Sequence, residues 1–313
     1  MMRLIVMGAL VMGITGCGHT PAPTPPPAAK PSDDECPEGS KLVRSRHRNK
    51  SSHQGCEQLD GTKHGHWSTW YPGGRKMDVG TYVQGAKHGH WVRFSRYKHK
   101  QHEGAYNHGK KKGPWTYWHA NGKRKASGTY ANGVKQGQWT EWFSSLKKRS
   151  EGHYKQGNKH GLWTTWHGIS GGYTKNHKGS QGTYVDGKES GLWVTWHRNA
   201  QKQSEGRFEA GLKNGQWTHW SSSGQRLGTN QWTQGNGQIS NWLNDGKLGS
   251  QGRFKDGKKH GVWMQWWYDD SVEKQRSKGE YKDGKRSGQW TTWLSDGPIK
   301  QKNAQWNQGD CVK

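Results

Sequence analysis

The chain is polar almost throughout, and aromatic residues punctuate it at fixed intervals. Gly-x-Tyr occurs at Gly80 and returns at Gly104, Gly128 and Gly152, a spacing of 24 residues. Gly-x-Tyr or Gly-x-Phe then recurs at Gly182, Gly206, Gly252 and Gly279. Counted from that glycine, a unit carries Tyr or Phe at 2, Gly at 5, Lys at 7, Gly at 9 and Trp at 11 and 14. Residues 128–142, GTYANGVKQGQWTEW, show it without a gap. A first unit starts at Cys56 without the opening Gly-x-Tyr. A degenerate unit runs from Asn230, keeping Gly235 but with Trp242 one place out of register. A half-unit closes the chain at Trp306 and Gly309. Ten units and a half thus cover 56–313, and nine carry Trp at 11. A period of this length marks a stacked array of small supersecondary units.

The pattern predicts an all-β fold, an antiparallel array of β-hairpins. Three glycines per unit leave no room for a helical period. Stretches such as Trp-Thr-Thr-Trp and Val-Thr-Trp favour strands. Asn132-Gly133, Asp186-Gly187, Asp256-Gly257 and Asp283-Gly284 occupy one corner, and Asn121-Gly122 and Asp296-Gly297 the other. Such dipeptides supply the positive φ of tight hairpin turns. Positions 11 and 14 differ in parity, so their indoles face opposite sides of the sheet. In one register the opening glycine sits opposite the Trp at 14, whose ring lies over bare backbone. Each buried ring removes about 150–250 Å² from water. An isolated hairpin is unstable, so cohesion comes from neighbouring units.

Composition sharpens this picture. Leu, Ile, Val and Phe together number 33 of 313 residues, and 49 basic against 23 acidic residues give a formal charge of +26. Taken alone these values predict disorder. The 21 tryptophans and 47 glycines, held in register, argue for a core built from rings. A large aliphatic-cored enzyme domain and a polytopic membrane protein are both excluded.

The N-terminus reads as an address. Arg3 is the only charge before Cys17, and Leu4–Ile14 is an apolar run of eleven residues, the length of a signal-peptide core. Ile14-Thr15-Gly16-Cys17 resembles the lipobox of bacterial lipoproteins. The resemblance implies cleavage of residues 1–16, acylation of Cys17 and anchoring in the cell envelope. With Gly18 following, it implies the outer membrane where the host has one. Residues 17–35 then read as the lipidated cysteine and a tether. Six prolines in residues 18–35 favour an extended chain of roughly 50 Å. Residues 36–55 read as an irregular cap.

The string Gly-x-Tyr-x-x-Gly-x-Lys-x-Gly-x-Trp-x-x-Trp resembles the MORN-repeat variant of many bacterial proteins, some of antitoxin type. The likeness runs from Cys56 to Val312, over 80% of the chain. It implies an elongated, single-layer, twisted antiparallel sheet and says little about function. The chain departs from the pattern in three places: an insertion at Ser170–His177, the damaged unit at 230–250 and an extended loop at Asp269–Ser277.

Candidate chemistry is sparse. No nucleophile elbow, phosphate-binding loop or dinucleotide fingerprint is present, so neither enzyme activity nor a cofactor is expected. A Cys36–Cys56 disulfide would pin the cap to the first unit and contribute about 3 kcal/mol. Cys311 is free, paired between chains, or evidence that the array closes. Without a CxxC pair, structural zinc is not expected. His64, His66, His88 and His90 form the one candidate metal set. The plainer reading is that His at position 8 flanks the turn glycine, as His160 and His260 do later.

The bases are the functional clue. Lys63, Lys87, Lys111, Lys135, Lys159, Lys213, Lys259 and Arg286 recur at position 7, and Glu189 breaks the row. Stacked units place them along one turn edge. That edge is either a solvated border that blocks strand pairing or a rail for a polyanion, weakened by salt. The expected partners are the membrane, through the N-terminal lipid, and an anionic envelope polymer or lipid or an unidentified protein. Nucleic acid is not expected. The leading reading is a non-catalytic membrane-anchored scaffold. The alternatives are a carbohydrate-binding module using exposed Trp faces and an antitoxin or immunity protein.

Overall fold

The computed structural model describes residues 35–45, 50–169, 175–269, 272–293, 302–307 and 310–312. Residues 1–16, expected as a signal peptide, Cys17, all but the last residue of the expected tether, and residues 170–174 of the insertion lie outside them. Among the described residues every regular element is a β-strand. Sixteen strands, from Ser40–Ser45 to Arg226–Trp232, lie side by side in chain order. Seven more, from Gly237–Trp242 to Asp310–Val312, form a second sheet of the same kind. Neither strand order returns to its start, so the array is open and Cys311 does not mark a closed ring.

The unit at 124–142 shows why the sequence folds this way. Strands Arg124–Ala131 and Val134–Trp142 are antiparallel. Asn132 and Gly133 join them with φ of 49° and 87°, the two positive values of a type I′ turn. Thr129 then pairs with Gln136, whereas Gly128 pairs with Trp139. Gly137 and Gln138 therefore bulge from the second strand, and Gly137 takes φ +68°, a conformation that glycine adopts without strain. The bulge carries the indole of Trp139 across the hairpin onto Gly128, where a Cβ would overlap the ring. The glycine row thus lies under the Trp at 11, not the Trp at 14 as one register suggested.

Four groups close around that indole. Tyr130 meets it edge-to-face at 5.1 Å, and Tyr154 of the next unit does so at 6.1 Å. Lys135 lies over it, Nζ 4.2 Å from the ring centre. Its Nε1–H donates to the Thr129 carbonyl at 3.1 Å. Trp139 is 2% exposed as a result, although the sheet has a single layer. Each such ring contributes roughly 4–5 kcal/mol of gross transfer free energy. This inner ladder repeats at Trp67, Trp91, Trp115, Trp163, Trp193, Trp217, Trp263 and Trp290, all buried. The tyrosines between them link unit to unit.

The turns form a second ladder. Gly133 donates its N–H to the Lys111 carbonyl at 2.9 Å, and Gly157 to that of Lys135 at 3.0 Å. At the opposite edge, His119 Nε2 lies 2.9 Å from the Trp142 carbonyl and His197 Nε2 2.9 Å from that of Trp220. Adjacent hairpins are thus tied at both ends.

Several sequence expectations need correction. Residues 36–55 are not an irregular cap: Ser40–Ser45 pairs in register with Ser52–Gln58 and extends the sheet. The first unit does have its row glycine. It is Gly55, paired with Trp67 and overlapped by that indole, one residue before the expected start. The segment around Asp269–Ser277 is not a loop, because Lys258–Asp269 and Val272–Lys282 continue pairing as one long hairpin. Trp242 is in register after all. The glycine-to-glycine interval of nine residues from Gly252 to Gly261 shrinks to seven from Asn230 to Gly237. Gly237 pairs with Phe254 as Gly261 pairs with Tyr281. This unit has lost the base and its neighbour, Ile239 replaces the inner Trp, and the sheet divides there with a single bridge, Thr233–Asn236.

Candidate binding surface

The predicted bases stand one residue into the second strand of their hairpins, except Lys63, which opens its strand, and their heads turn onto the inner face. Each of Lys63, Lys87, Lys111, Lys135, Lys159, Lys213, Lys259 and Arg286 lies 4.0–4.5 Å over the inner Trp of its own unit. All eight are half-buried. Burial lowers the pKa of Lys87, Lys111, Lys135 and Lys213. These bases are lids on the aromatic ladder rather than a free turn edge. An anion reaching them competes with the cation–π contact. Where Glu189 takes the place, Tyr184 donates its hydroxyl proton to Glu189 Oε1 at 3.2 Å. Burial, with Glu189 second, pushes the Tyr184 phenol up to about 12.

The other face carries a row that the sequence reading passed over. Lys76, Lys100, Arg124, Lys148, Lys178 and Lys202 stand four residues before a row glycine and Arg226 four before Asn230, whereas Leu248 and Gln275 hold that place before Gly252 and Gly279. All of these bases but the half-buried Lys202 are exposed. Lys100, Arg124, Lys148, Lys178 and Lys202 lie 4.9–5.7 Å over Trp118, Trp142, Trp166, Trp196 and Trp220, the Trp at 14 of each unit. Those outer indoles are partly exposed. Lys100, Lys148 and Lys202 also pair with Glu103, Glu151 and Glu205 at 2.6–2.7 Å. Arg124 has Ser127 at the corresponding place and Lys178 has Gln181. Recurrence at the same interval as the tryptophans was the signal available in the sequence.

Exposed bases also gather at hairpin tips. Lys255 sits directly opposite Lys258, and Lys282 opposite Lys285. Such like-charged cross-strand pairs repel unless an anion screens them. At an earlier tip, Lys110, Lys111 and Lys112 line an open cavity of about 390 Å³ with Asn107, His108 and Asn132.

The four candidate metal histidines do not converge, and among the described residues no cluster suits a metal ion. His64 Nδ1 accepts the Gln84 N–H of the next turn at 3.4 Å. His66 Nε2 lies 3.4 Å from Ser68 Oγ, and His88 packs edge-on against His108 at 4.9 Å. Gln136, Asn214 and Asn236 accept the same N–H in other units, whereas the Nδ1 atoms of His88, His160 and His260 at position 8 have no hydrogen-bond partner among the described residues. Cys36 and Cys56 are joined in a disulfide with Cα atoms 5.5 Å apart, and Cys56 is buried against the first unit. Cys311 lies in the last strand, opposite Trp306.

No family model matches the chain, and no curated protein matches it. Among solved structures, the TcdB2-TccC3-Cdc42 complex aligns over 84% of this chain at 9% identity and a TM-score of 0.18. The chain spans 17% of that molecule's length. A porin-like protein from Bacteroides uniformis aligns over 76% of this chain and 93% of its own, at 10% identity and a TM-score of 0.16. Likeness at this level carries no argument about function.

Proposed function

We propose that the protein is a non-catalytic repeat scaffold of MORN type, anchored in the bacterial cell envelope through acylated Cys17. Its outer face binds an anionic envelope polymer or lipid. The observation that carries this reading is the outer row, where a base, exposed in four units and half-buried at Lys202, stands beside a partly exposed indole in five units. The inner bases are committed to the ladder; of the outer ones, Arg124 and Lys178 face solvent, and Lys100, Lys148 and Lys202 would exchange Glu103, Glu151 and Glu205 for the ligand. Periodic charge engages a polymer at many points, and each point releases counterions, so affinity falls with salt. The outer indoles also favour an acidic glycan within that class, because a sugar ring stacks on a Trp face while its carboxylate or phosphate meets the adjoining base. The signal peptide and the lipobox support the location.

The test is retention of the mature chain on lipopolysaccharide, peptidoglycan and acidic phospholipid vesicles at low and high salt. Replacing Lys100, Arg124, Lys148, Lys178 and Lys202 together with Gln should abolish retention while leaving the β signature intact. Binding that ignores both salt and the five replacements would remove the proposal.

A further inference from the structure

The hairpin tip at Asn132 differs from its neighbours in one respect. A two-residue turn leaves the N–H of its first residue outside the strand ladder, and elsewhere a side chain of the preceding hairpin meets that donor. Gln136 Oε1 accepts the Gln156 N–H at 3.0 Å, Asn214 Oδ1 the Gln234 N–H at 3.1 Å and Asn236 Oδ1 the Asp256 N–H at 3.0 Å. His64 Nδ1 does the same for Gln84 at 3.4 Å. Each acceptor stands 20 residues before its donor, and 20 residues before Asn132 stands Lys112. The other units have His, Gln, Asn or Ser in that place, and all of these carry an acceptor atom, whereas an ammonium only donates. The Asn132 N–H thus faces a donor where its counterparts face an acceptor, and it makes no hydrogen bond among the described residues.

The turn is fixed at this mismatch. Gly133 donates to the Lys111 carbonyl at 2.9 Å, which holds Asn132 against residues 110–112. Together with Asn107 and His108 they line the open cavity of about 390 Å³, and no carboxylate is among its walls. Lys111 is committed elsewhere: its Nζ donates to the Tyr117 hydroxyl at 2.7 Å and lies over Trp115. Lys110 and Lys112 are two apart in one strand and share a face. Both are exposed, and neither is in an ion pair among the described residues.

We propose that this cavity binds a phosphate group. One oxygen accepts the Asn132 N–H, and the others pair with the Lys110 and Lys112 ammoniums. A backbone N–H presented by a turn favours an anion. A phosphate monoester brings nearly two negative charges and three acceptor oxygens, which matches two ammoniums and one N–H. A carboxylate brings one charge and two oxygens, so one donor stays unmet. The site uses none of the five outer bases and is independent of polymer binding there.

The experiment is an amide NMR titration of the mature chain with inorganic phosphate and with glycerol 3-phosphate, at constant ionic strength, with acetate for comparison. The Asn132 resonance should shift and saturate with both phosphates and stay still with acetate. Gln156, already capped by Gln136, should not move. Tighter binding of the ester assigns the site to an organic phosphate, and tighter binding of the inorganic ion assigns it to free phosphate. Lys112→Gln copies the arrangement at Gln136, supplies the missing acceptor and should weaken binding at least about tenfold. Lys110→Gln should weaken it by a similar factor, and decides alone if the first variant fails to fold. The chain with Lys100, Arg124, Lys148, Lys178 and Lys202 replaced should bind phosphate as the parent does. No saturable shift, an equal response to acetate or at Gln156, unchanged affinity in a folded Lys110 or Lys112 variant, or loss of binding in the five-fold variant would each overturn the proposal.

Discussion

The units at 128–142 and 230–242 differ in length by two residues, and Asn230, Trp232 and Ile239 stand in the second where Gly128, Tyr130 and Trp139 stand in the first, so they solve different problems. In the regular unit, Gly128, Gly137, Lys135 and Trp139 form an interdependent set. The bulge at Gly137 delivers the indole, the bare backbone of Gly128 receives it and Lys135 covers it. In the shortened unit the base and the indole are both gone. The row glycine is no longer required, and Asn230 replaces ring packing with hydrogen bonds. The turn ladder survives the change: Gly257 donates to the Gly235 carbonyl at 3.0 Å, where other turns use the carbonyl of the base position. A repeat can therefore give up its core residues as a group and keep its place through the backbone, at the cost of a cavity and a divided sheet.

The largest expected effect comes from breaking the regular set. Gly128→Ala puts a methyl group where the Trp139 ring lies, and should destabilise the surrounding strands by roughly 3 kcal/mol or more. Because each unit contacts only its neighbours, amide exchange should accelerate across 124–155 and remain unchanged beyond the break, at 258–292. Acceleration throughout would show that the break does not insulate the two sheets.

A smaller effect tests the break itself. Burial, with the nearby Lys213 second, pulls the His219 pKa down to about 4. The unfolded chain, with a value of ~6.5, therefore takes up a proton first as pH falls. The stability associated with neutral His219 is complete above that value and is lost as pH drops toward 4. At pH ~5 the loss should be about 2 kcal/mol. Urea unfolding of the parent and His219→Thr at neutral and mildly acidic pH should show a reduced acid sensitivity in the variant. Identical slopes would contradict the burial of His219.

The smallest effect concerns the lids. Lys135→Met removes the charge over Trp139 and Tyr154, and should cost about 1 kcal/mol. Lys188→Met, at an exposed turn position, should cost nothing measurable. Equal effects would return the position-7 bases to the status of an ordinary solvated edge.

Much of the fold is legible in the sequence because the period, the turn dipeptides and the opposite parity of the two Trp positions all point to hairpins. What escaped the reading depends on bulges. Two extra residues at Gly137 and Gln138 bring Trp139, not Trp142, onto the glycine row, and a strict alternation count cannot reveal such a slip. Gly55 was hidden by one additional residue before Trp67. The strand Ser40–Ser45 carries no repeat signature and is specified by pairing with its neighbour. For the candidate surface, the eight position-7 bases were visible as a row, but their direction was not, because a Lys stem reaches either solvent or a ring. The outer row was equally periodic and became meaningful only once Lys100, Lys148 and Lys202 were found over Trp118, Trp166 and Trp220.

The most direct test of the aromatic ladder is residue-resolved oxidative footprinting of tryptophan in the native chain, read by mass spectrometry. Trp91, Trp115, Trp139, Trp163, Trp217 and Trp263, each under 5% exposed, should resist oxidation. Trp118, Trp142, Trp166, Trp196 and Trp220, partly open on the other face, should react. Equal reactivity of the two sets would contradict the account.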